Sequence, residues 1–188
     1  WILEKCFEAN PSSVLLCVNE KHAGYIQNCF ASWNLLYSVS PGLGSAGELY
    51  LANQRGLLEN NFIVYYGDTL VTFSLADLAQ AHFQNKSDVT LVVSQNARIR
   101  WGIIQNRQLF EKPLIKTVCP NCYATLGIFA SNQQILKYCK PGLDIMRDVM
   151  PLMLQKHRVA LWNTDSPWFG CDTFKDLEEA EKWVTSRR

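Results

Sequence analysis

The sequence has no long apolar run, no excess of charge of one sign and few closely spaced metal-binding residues. None of its 188 residues belongs to a stretch near the ~18 apolar residues that a membrane span needs, and the formal net charge is +1. We therefore expect neither a membrane partner nor a nucleic-acid partner. With 48% hydrophobic and 19% charged residues, the composition is typical of a single globular domain with a sizeable core.

The cysteines give little sign of a disulfide framework. The chain has seven of them, an odd number, and they are scattered, which favours a reduced and cytoplasmic protein. Cys119 and Cys122 form the one close pair, half of a zinc site at most, because no second CxxC or HxxxH motif completes four ligands. A redox CxxC normally begins a helix, whereas a strand is predicted after Cys122. We interpret the pair as two thiols in a loop.

Short apolar runs alternate with helical patterns through the first half of the chain. Strands are predicted at Ser13–Val18, Leu35–Val39, Phe62–Tyr66 and Asp88–Val93. This alternation predicts an α/β fold, a Rossmann-like three-layer α/β/α arrangement with a mostly parallel central sheet. From Arg98 to Phe110 apolar residues alternate around a short turn, which predicts a small antiparallel subregion. We expect residues 1–188 to form a single domain.

The stretch Asn61–Leu70 contains the first candidate functional residue. Phe62–Tyr66 is continuously apolar or aromatic, which predicts a strand buried on both faces in a parallel sheet. Gly67 ends the strand and Asp68 follows it. In open α/β sheets ligands bind beyond the carboxyl ends of the strands, so Asp68 is placed where chemistry occurs. The alternative is a turn-capping role, because Gly-Asp is also common turn chemistry.

The loop Pro41–Gly47 joins a predicted strand to a predicted helix. Its glycines would let backbone approach a ligand closely. The spacing matches neither the GxGxxG dinucleotide motif nor a P-loop, so an ordinary strand-to-helix loop remains the alternative.

Together, several stretches resemble motifs of the sugar-1-phosphate nucleotidylyltransferases, in the same order and at similar spacing. Pro41–Gly47 resembles their PLGTAGAL loop, and Val64–Asp68 resembles the strand that ends in Gly-Asp. Trp101–Ile104 and Phe110–Pro113 resemble the YGVV and EKP motifs, and Gly170–Leu177 resembles the closing Asp-Thr pattern before a helix. The resemblance implies transfer of a nucleotidyl group from a nucleoside triphosphate to a sugar 1-phosphate, with release of pyrophosphate.

The same resemblance assigns the catalytic and metal residues. Asp68 and Asp172 match the pair that holds Mg²⁺, and Lys112 matches the lysine for the sugar phosphate. Two carboxylates about 4 Å apart repel by ~4 kcal/mol at an effective dielectric of 20, and a shared cation turns that repulsion into attraction. Mg²⁺ in proteins commonly binds one or two carboxylates together with substrate phosphates.

The remaining implied contacts concern the sugar and the base. Glu111 accepts hydrogen bonds from sugar hydroxyls, and the backbone of Gly102 lies beside the sugar. Gly44 and Ser45 lie where the base docks. Thr125 stands where the family usually has an asparagine that contacts the sugar, and a hydroxyl cannot make the paired contacts of an amide.

The family's first strand and glycine-rich triphosphate loop have no counterpart in this sequence. We therefore expect more residues before Trp1 in the native protein, or no turnover by this chain alone. We also expect an interrupted sheet beside the Ser13 and Phe62 strands, and an unpaired edge there would favour a homo-oligomer. Two other functions stay open: a non-catalytic module that binds nucleotide or sugar phosphate, and an unrelated glycosyltransferase. A glycosyltransferase would be expected to carry a DxD motif, which Gly67-Asp68-Thr69 lacks.

Overall fold

The structure, a computed structural model, describes residues 1–100 and 102–186. Trp101, the first residue of one predicted motif, therefore lies outside the described residues. The helices are α1 (Ile2–Glu8), α2 (Glu20–Cys29), α3 (Ser45–Gln54), α4 (Leu75–Asn85), α5 (Ile115–Val118), α6 (Met150–Lys156) and α7 (Phe174–Thr185). The strands are β1 (Leu15–Asn19), β2 (Leu36–Ser40), β3 (Asn61–Tyr65), β4 (Thr69–Val71), β5 (Val89–Ser94), β6 (Ile103–Gln105), β7 (Gln108–Phe110), β8 (Ala124–Asn132), β9 (Val159–Asn163) and β10 (Trp168–Gly170).

The central sheet is mixed, with the strand order β3-β8-β5-β9. β5 runs parallel to β9, whereas β8 runs antiparallel to both β3 and β5. The predicted α/β class is correct, but the strand at Phe62–Tyr66 differs from its prediction. β3 is an edge strand with partly buried residues and an antiparallel partner. An apolar run alone cannot reveal the direction of a neighbour that comes from much later in the chain.

The sheet is interrupted between β1 and β3, as predicted. β1 and β2 form a separate parallel pair, and in the described part of the chain β1 and β3 each have strand partners on one side only. α3 links the two sheets, because it packs against β2 and also places Ala46 and Leu49 in the core of the larger sheet.

Alternating residues of β5 and β8 serve two cores, one on each face of the central sheet. Val89, Leu91 and Val93 face the core that contains α3 and α6. Val92 faces the opposite core, to which α4 contributes Leu75 and Leu78. Side chains of a strand point alternately to its two faces, so a strand covered on both faces is apolar throughout. This three-layer arrangement holds β5 rigidly at the centre of the molecule.

The antiparallel subregion is confirmed as a hairpin of β6 and β7. Its turn residues Asn106 and Arg107 have φ of 51° and 65°, the left-handed pair that two-residue hairpin turns favour. The short pairing of β4 with β10 was not predicted, because three-residue strands leave almost no periodic signal. Within the described residues, no helix is long and apolar enough to cross a membrane.

Candidate active site

Asp68 and Asp172, far apart in the sequence, come to adjoining strand ends. Asp68 lies in the turn between β3 and β4, and Asp172 lies two residues after β10. The antiparallel β4–β10 pairing sets Gly170 opposite Thr69, and the backbone N–H of Cys171 donates to the carbonyl of Asp68 at 2.7 Å. This pairing, absent from the sequence prediction, is what brings the two predicted metal ligands together.

Arg100 is a charged residue of this region that the sequence analysis missed. Its Nη2 lies 2.8 Å from Oδ2 of Asp172 and 3.1 Å from Oδ2 of Asp176. Asp176 also completes the capping box of α7 with Thr173, and the hydrogen bond from Thr173 is the main reason that its pKa is lowered. Arg100 therefore ties the approach to the hairpin to the start of α7. In the sequence, the one sign that Arg100 belongs to the site is its position two residues before Gly102.

The two carboxylates differ in how far they are already neutralised. In the described part of the chain, the Asp68 carboxylate accepts one hydrogen bond, from Thr69 Oγ1 at 3.3 Å, and its side chain is exposed. Asp172 is exposed as well but is paired with Arg100. Hard carboxylate oxygens suit Mg²⁺, so the donor chemistry fits this metal. No third His, Cys, Asp or Glu joins them among the described residues, so further ligands would come from substrate phosphates and water.

Gly102 and Glu111 meet at the base of the hairpin. A Cβ built on Gly102 would lie 3.3 Å from Oε2 of Glu111 and 3.3 Å from Cδ1 of Leu109. A side chain at position 102 would therefore crowd the carboxylate, whereas glycine leaves the backbone open. This arrangement brings two of the predicted sugar contacts together.

Lys112 has a strained backbone. Its φ is 44°, in the left-handed region that non-glycine residues rarely occupy, and the following Pro113 further disfavours helical conformations. Such strain costs about 1–3 kcal/mol and collects at functional sites. The side chain is exposed, and among the described residues it has no hydrogen-bond or salt-bridge partner, not even Glu111. An unpaired ammonium on a fixed backbone is suited to bind an anion.

Thr125 lies on the same edge of the sheet as Asp68. It is exposed and pairs with Val93 near the end of β5. Between Thr125 and Phe129 the register of β8 shifts in a bulge, where Gly127 has φ of 70° and its carbonyl accepts from the N–H of Tyr66 at 3.2 Å. Bulges of this kind are frequent next to active sites, where they redirect side chains.

The loop Pro41–Gly47 is held tightly by its surroundings. Gly44 has φ of 76°, and a Cβ there would lie 2.6 Å from the carbonyl oxygen of Leu143. The hydroxyl of Ser45 donates to Oδ2 of Asp144 at 2.7 Å and accepts from the N–H of Ile145 at 2.8 Å. The sequence analysis missed Asp144, whose pKa is lowered mainly by the N–H of Arg147 and also by Ser45.

Glu48, in the first turn of α3, holds the start of this loop by hydrogen bonds from its buried side. Its Oε1 accepts from the hydroxyl of Ser40 at 2.5 Å and from the N–H of Leu43 at 2.9 Å. Its Oε2 is buried and has no hydrogen-bond partner among the described residues. The carboxylate therefore fixes the start of the loop while keeping one buried oxygen unsatisfied.

The pair Cys119 and Cys122 is joined by a disulfide bond. The interpretation as two free thiols is therefore wrong, although the other cysteines are free as expected. Thiols separated by two residues reach each other when the intervening chain turns, and the N–H of Cys122 donates to the carbonyl of Cys119 at 3.0 Å. Pro120 and Asn121 are common turn residues, but the sequence pattern does not show that the two thiols are joined.

Comparison with known proteins gives one relative by sequence. No protein-family model matches the chain. A protein named "Putative mannose-1-phosphate guanyltransferase", from Sulfolobus acidocaldarius, is 30% identical over 118 residues, which is 60% of this chain and 32% of that protein. The chain therefore spans about a third of the length of the curated relative it matches.

Solved structures show the fold. A glucose-1-phosphate thymidylyltransferase from Bacillus anthracis, named as putative and solved in complex with a sucrose, matches with a TM-score of 0.74 and 18% identity over 96% of this chain and 79% of that one. HddC from Yersinia pseudotuberculosis, complexed with GMP-PN, matches with a TM-score of 0.73 and 17% identity over 96% and 83%. The fold is that of the nucleotide-diphospho-sugar transferases, and the predicted resemblance to sugar-1-phosphate nucleotidylyltransferases is confirmed.

Proposed function

We propose that this chain carries the sugar side, the metal ligands and the base loop of a sugar-1-phosphate nucleotidylyltransferase. The observation that carries the proposal is the meeting of Asp68 and Asp172 at adjoining strand ends, through the hydrogen bond from Cys171 N–H to the Asp68 carbonyl at 2.7 Å. Ligands of open α/β sheets bind at this edge. In such a reaction a phosphate oxygen of the sugar 1-phosphate attacks the α-phosphorus of the triphosphate, and the bond to pyrophosphate breaks.

The chain's own residues position the reactants and neutralise their charge. Asp68 and Asp172 would hold Mg²⁺, which supplies positive charge to the phosphate oxygens when it is bound. Arg100 pairs with Asp172, and in the reaction it would exchange that carboxylate for a phosphate oxygen. No covalent bond between enzyme and substrate is required, so the rate depends on orientation and on charge stabilisation.

The sugar side is formed by the hairpin and by the start of β8. Lys112 binds the sugar phosphate, because its ammonium has no protein partner among the described residues and its backbone is fixed. Glu111 accepts from sugar hydroxyls beside the open backbone of Gly102. Thr125 offers one hydroxyl from the end of the β8 bulge.

The base docks on the loop at Gly44 and Ser45. The Ser45 hydroxyl already forms hydrogen bonds with Asp144 and Ile145. We therefore assign base recognition to the backbone of the loop, whereas the Ser45 side chain holds the loop in its conformation. The relative's name and the neighbours' names favour GTP with mannose 1-phosphate and dTTP with glucose 1-phosphate as the first substrate pairs to test.

A second candidate is a module that binds sugar phosphate or nucleotide without turnover. The interrupted sheet favours it, because β1 and β3 lack a strand between them in the described residues and a triphosphate needs a cradle of backbone N–H groups. A further strand, from the same polypeptide or from a second copy in a homo-oligomer, would close this gap in an active enzyme.

A binding and turnover experiment separates the two candidates. Thermal unfolding of residues 1–188 is followed with Mg²⁺ and each nucleoside triphosphate or glucose, mannose and heptose 1-phosphate, and pyrophosphate release is measured in parallel. We expect a Mg²⁺-dependent thermal shift with one sugar 1-phosphate, lost in Lys112→Ala and kept in Lys86→Ala. Pyrophosphate release identifies the enzyme, and a shift without release shows that residues 1–188 bind the sugar 1-phosphate without turning it over. A chain that responds to none of these compounds contradicts both functions.

A further inference from the structure

The disulfide Cys119–Cys122 lies in the segment that joins two parts of the sugar side. Residues 113–123 connect Lys112 to the first residues of β8, where Ala124 pairs with Ser94 and Thr125 with Val93. Nothing in the proposed reaction uses a disulfide. The bond therefore calls for an explanation of its own.

This segment has no buried residue to hold it. Its single helical turn, α5, has neither a buried residue nor a side-chain cap. Helices this short are not stable by themselves, because too few hydrogen bonds offset the entropy of forming a turn. Among the described residues, the segment is fixed by hydrogen bonds to residues 95–99, which follow β5, by the side chain of Gln105 on the carbonyl of Val118, and by the disulfide.

In the part of the chain that the structure describes, the hydrogen bonds to residues that follow β5 reach as far as Pro120 and do not hold the residues after it. The N–H of Ile115 donates to Ala97 at 2.9 Å and the N–H of Lys116 donates to Gln95 at 3.2 Å, and the side chain of Gln95 reaches the carbonyl of Pro120 at 2.5 Å. Within residues 1–100 and 102–186, the bonds that hold the chain between Pro120 and Ala124 are the turn hydrogen bond from Cys122 and the disulfide, whose Cα atoms are 5.3 Å apart. The disulfide thus fixes the part of the segment that leads into Thr125.

The two sulfurs differ in accessibility. Cys122 is exposed, whereas Cys119 is partly buried. Accessibility is one factor that decides which sulfur a thiolate attacks, so Cys122 is the attacked atom and Cys119 is the leaving thiolate. The other five cysteines are free thiols, and a protein that contains both states is open to thiol–disulfide exchange.

We propose that Cys119–Cys122 is a reversible thiol–disulfide site whose oxidised form holds the sugar side in its binding conformation and whose reduction loosens it. The reductant is a low-molecular-weight thiol. Its thiolate attacks Sγ of Cys122, the Cys119–Cys122 bond breaks, and Cys119 leaves as a thiolate that takes a proton. A second thiol then attacks the mixed disulfide, so that two small thiols become one small disulfide while the protein gains two thiols.

The consequence for binding rests on the proposed function. With the bond closed, the loop that leads into Thr125 is restrained, so ordering this part of the sugar side costs little free energy on ligand binding. With the bond open, the four-residue loop regains chain entropy. Reduction then lowers the affinity for sugar 1-phosphate without altering the residues that touch the reacting phosphorus.

The first test follows backbone hydrogen exchange in glutathione buffers of known composition. On reduction, amides of residues 116–124 should exchange several-fold faster, whereas those of α4 serve as an internal reference and should not change. The double variant Cys119→Ser with Cys122→Ser should exchange quickly under both conditions. Cys29→Ser, which removes an exposed free thiol, should behave like the unaltered protein. Equal exchange in the two redox states overturns the proposal.

The second test traps the intermediate by mass spectrometry. Cys119→Ser should retain one glutathione at Cys122, and Cys122→Ser should retain much less at the partly buried Cys119. Equal labelling of the two variants overturns the assignment of the attacked sulfur.

The third test measures the dissociation constant of the sugar 1-phosphate that gives a thermal shift. We expect reduction to weaken binding by roughly tenfold, the order that loss of a short-loop constraint allows, and the double variant should show no response. Changed exchange with unchanged affinity overturns the link to the sugar side. Changed exchange with no sugar 1-phosphate binding in either state instead contradicts the proposed function and leaves the thiol–disulfide site standing.

Discussion

The base loop and the sugar side of this molecule are held in different ways. Pro41–Gly47 is fixed by close backbone approach at Gly44 and by the Ser45–Asp144–Ile145 hydrogen bonds. Lys112 and Asp68 instead expose their charges, and the described residues offer them few partners. Within the described residues, the base loop is held by hydrogen bonds inside the protein, with the buried Oε2 of Glu48 left unsatisfied, whereas Lys112 and Asp68 carry exposed charges with few protein partners.

The difference shows where each region's binding energy would come from. A preorganised loop loses little entropy when a base docks, so its contribution depends on shape. Exposed opposite charges are weak in water and gain strength when a ligand excludes solvent from them. We therefore expect substitutions in the base loop to act on stability, and substitutions on the sugar side to act on binding and turnover.

The largest expected effect is on turnover, in Asp68→Asn. Loss of one carboxylate removes a charge that the proposed metal site requires, and metal-ion charge stabilisation is worth several kcal/mol, so turnover should fall by about a hundredfold or more. The Michaelis constant for sugar 1-phosphate should change much less. Steady-state kinetics measures both quantities.

Asp77→Asn is the matched control, an exposed aspartate at the start of α4 away from the candidate site. It should leave turnover within about twofold of the unaltered protein, as surface substitutions usually do. If the two variants behave alike, Asp68 has only a turn-capping role and the comparison between the two regions fails.

The next effect is on stability, in Gly44→Ala. The residue has φ of 76°, and the new Cβ would lie 2.6 Å from the carbonyl oxygen of Leu143. With ψ of 159°, Gly44 lies in a backbone region that is essentially restricted to glycine, so alanine costs about 1–3 kcal/mol there from strain alone, and the overlap with backbone adds to it. Gly56→Ala is the control for a positive φ in open space, because Gly56 has φ of 67° with nothing within 4 Å of its Cβ position.

Chemical denaturation should show a larger loss of unfolding free energy for Gly44→Ala than for Gly56→Ala. The excess combines the backbone strain specific to Gly44 with the overlap against residues 142–143. Equal losses would mean that the loop can shift, and the contrast in rigidity between the two regions would disappear.

A smaller loss is expected for Ser45→Ala, about 1–3 kcal/mol, because the buried N–H of Ile145 loses its acceptor. Part of this loss depends on pH. Asp144 has a pKa below its usual value, mainly through the N–H of Arg147 and also through Ser45. Its contribution to the free energy of unfolding is therefore present above the unfolded-state pKa and disappears as pH falls through the folded-state pKa. Denaturation from pH 7 to pH 3 should show the gap between variant and unaltered protein narrowing only below about pH 4.

The elements that the sequence predicts well have strong local signals. The capping serines and threonines show this, since Ser74 and Thr173 cap α4 and α7 as predicted. β5 is buried throughout, as its apolar run indicates. These features depend on neighbouring residues, so a single sequence contains what is needed to find them.

What the sequence did not predict depends on partners distant in the chain. The antiparallel placement of β8 beside β3, the β4–β10 pairing and the Arg100–Asp172 ion pair each join residues far apart in sequence. The pairing of Ser45 with Asp144 is of the same kind. The site residues could be named by family resemblance, but their mutual arrangement is a property of the fold.

The smallest expected change in stability is in Lys112→Gly, and it sharpens the comparison most. Glycine accepts φ of 44° without the steric cost that lysine bears, so the unfolding free energy should stay the same or rise by up to about 1 kcal/mol, the entropy of glycine offsetting part of the gain. Lys86→Gly is the control, because Lys86 has φ of 48° at the end of α4 and lies outside the candidate site. Both variants remove one positive charge from a left-handed position, so their stabilities should change alike.

Their affinities for sugar 1-phosphate should differ, with a roughly tenfold loss for Lys112→Gly alone, since charge-assisted hydrogen bonds are worth about 1.5–3 kcal/mol. Isothermal titration and chemical denaturation on the same samples measure the two quantities. A Lys112→Gly variant that gains stability and keeps its affinity would mean that the strained backbone serves the hairpin rather than a phosphate.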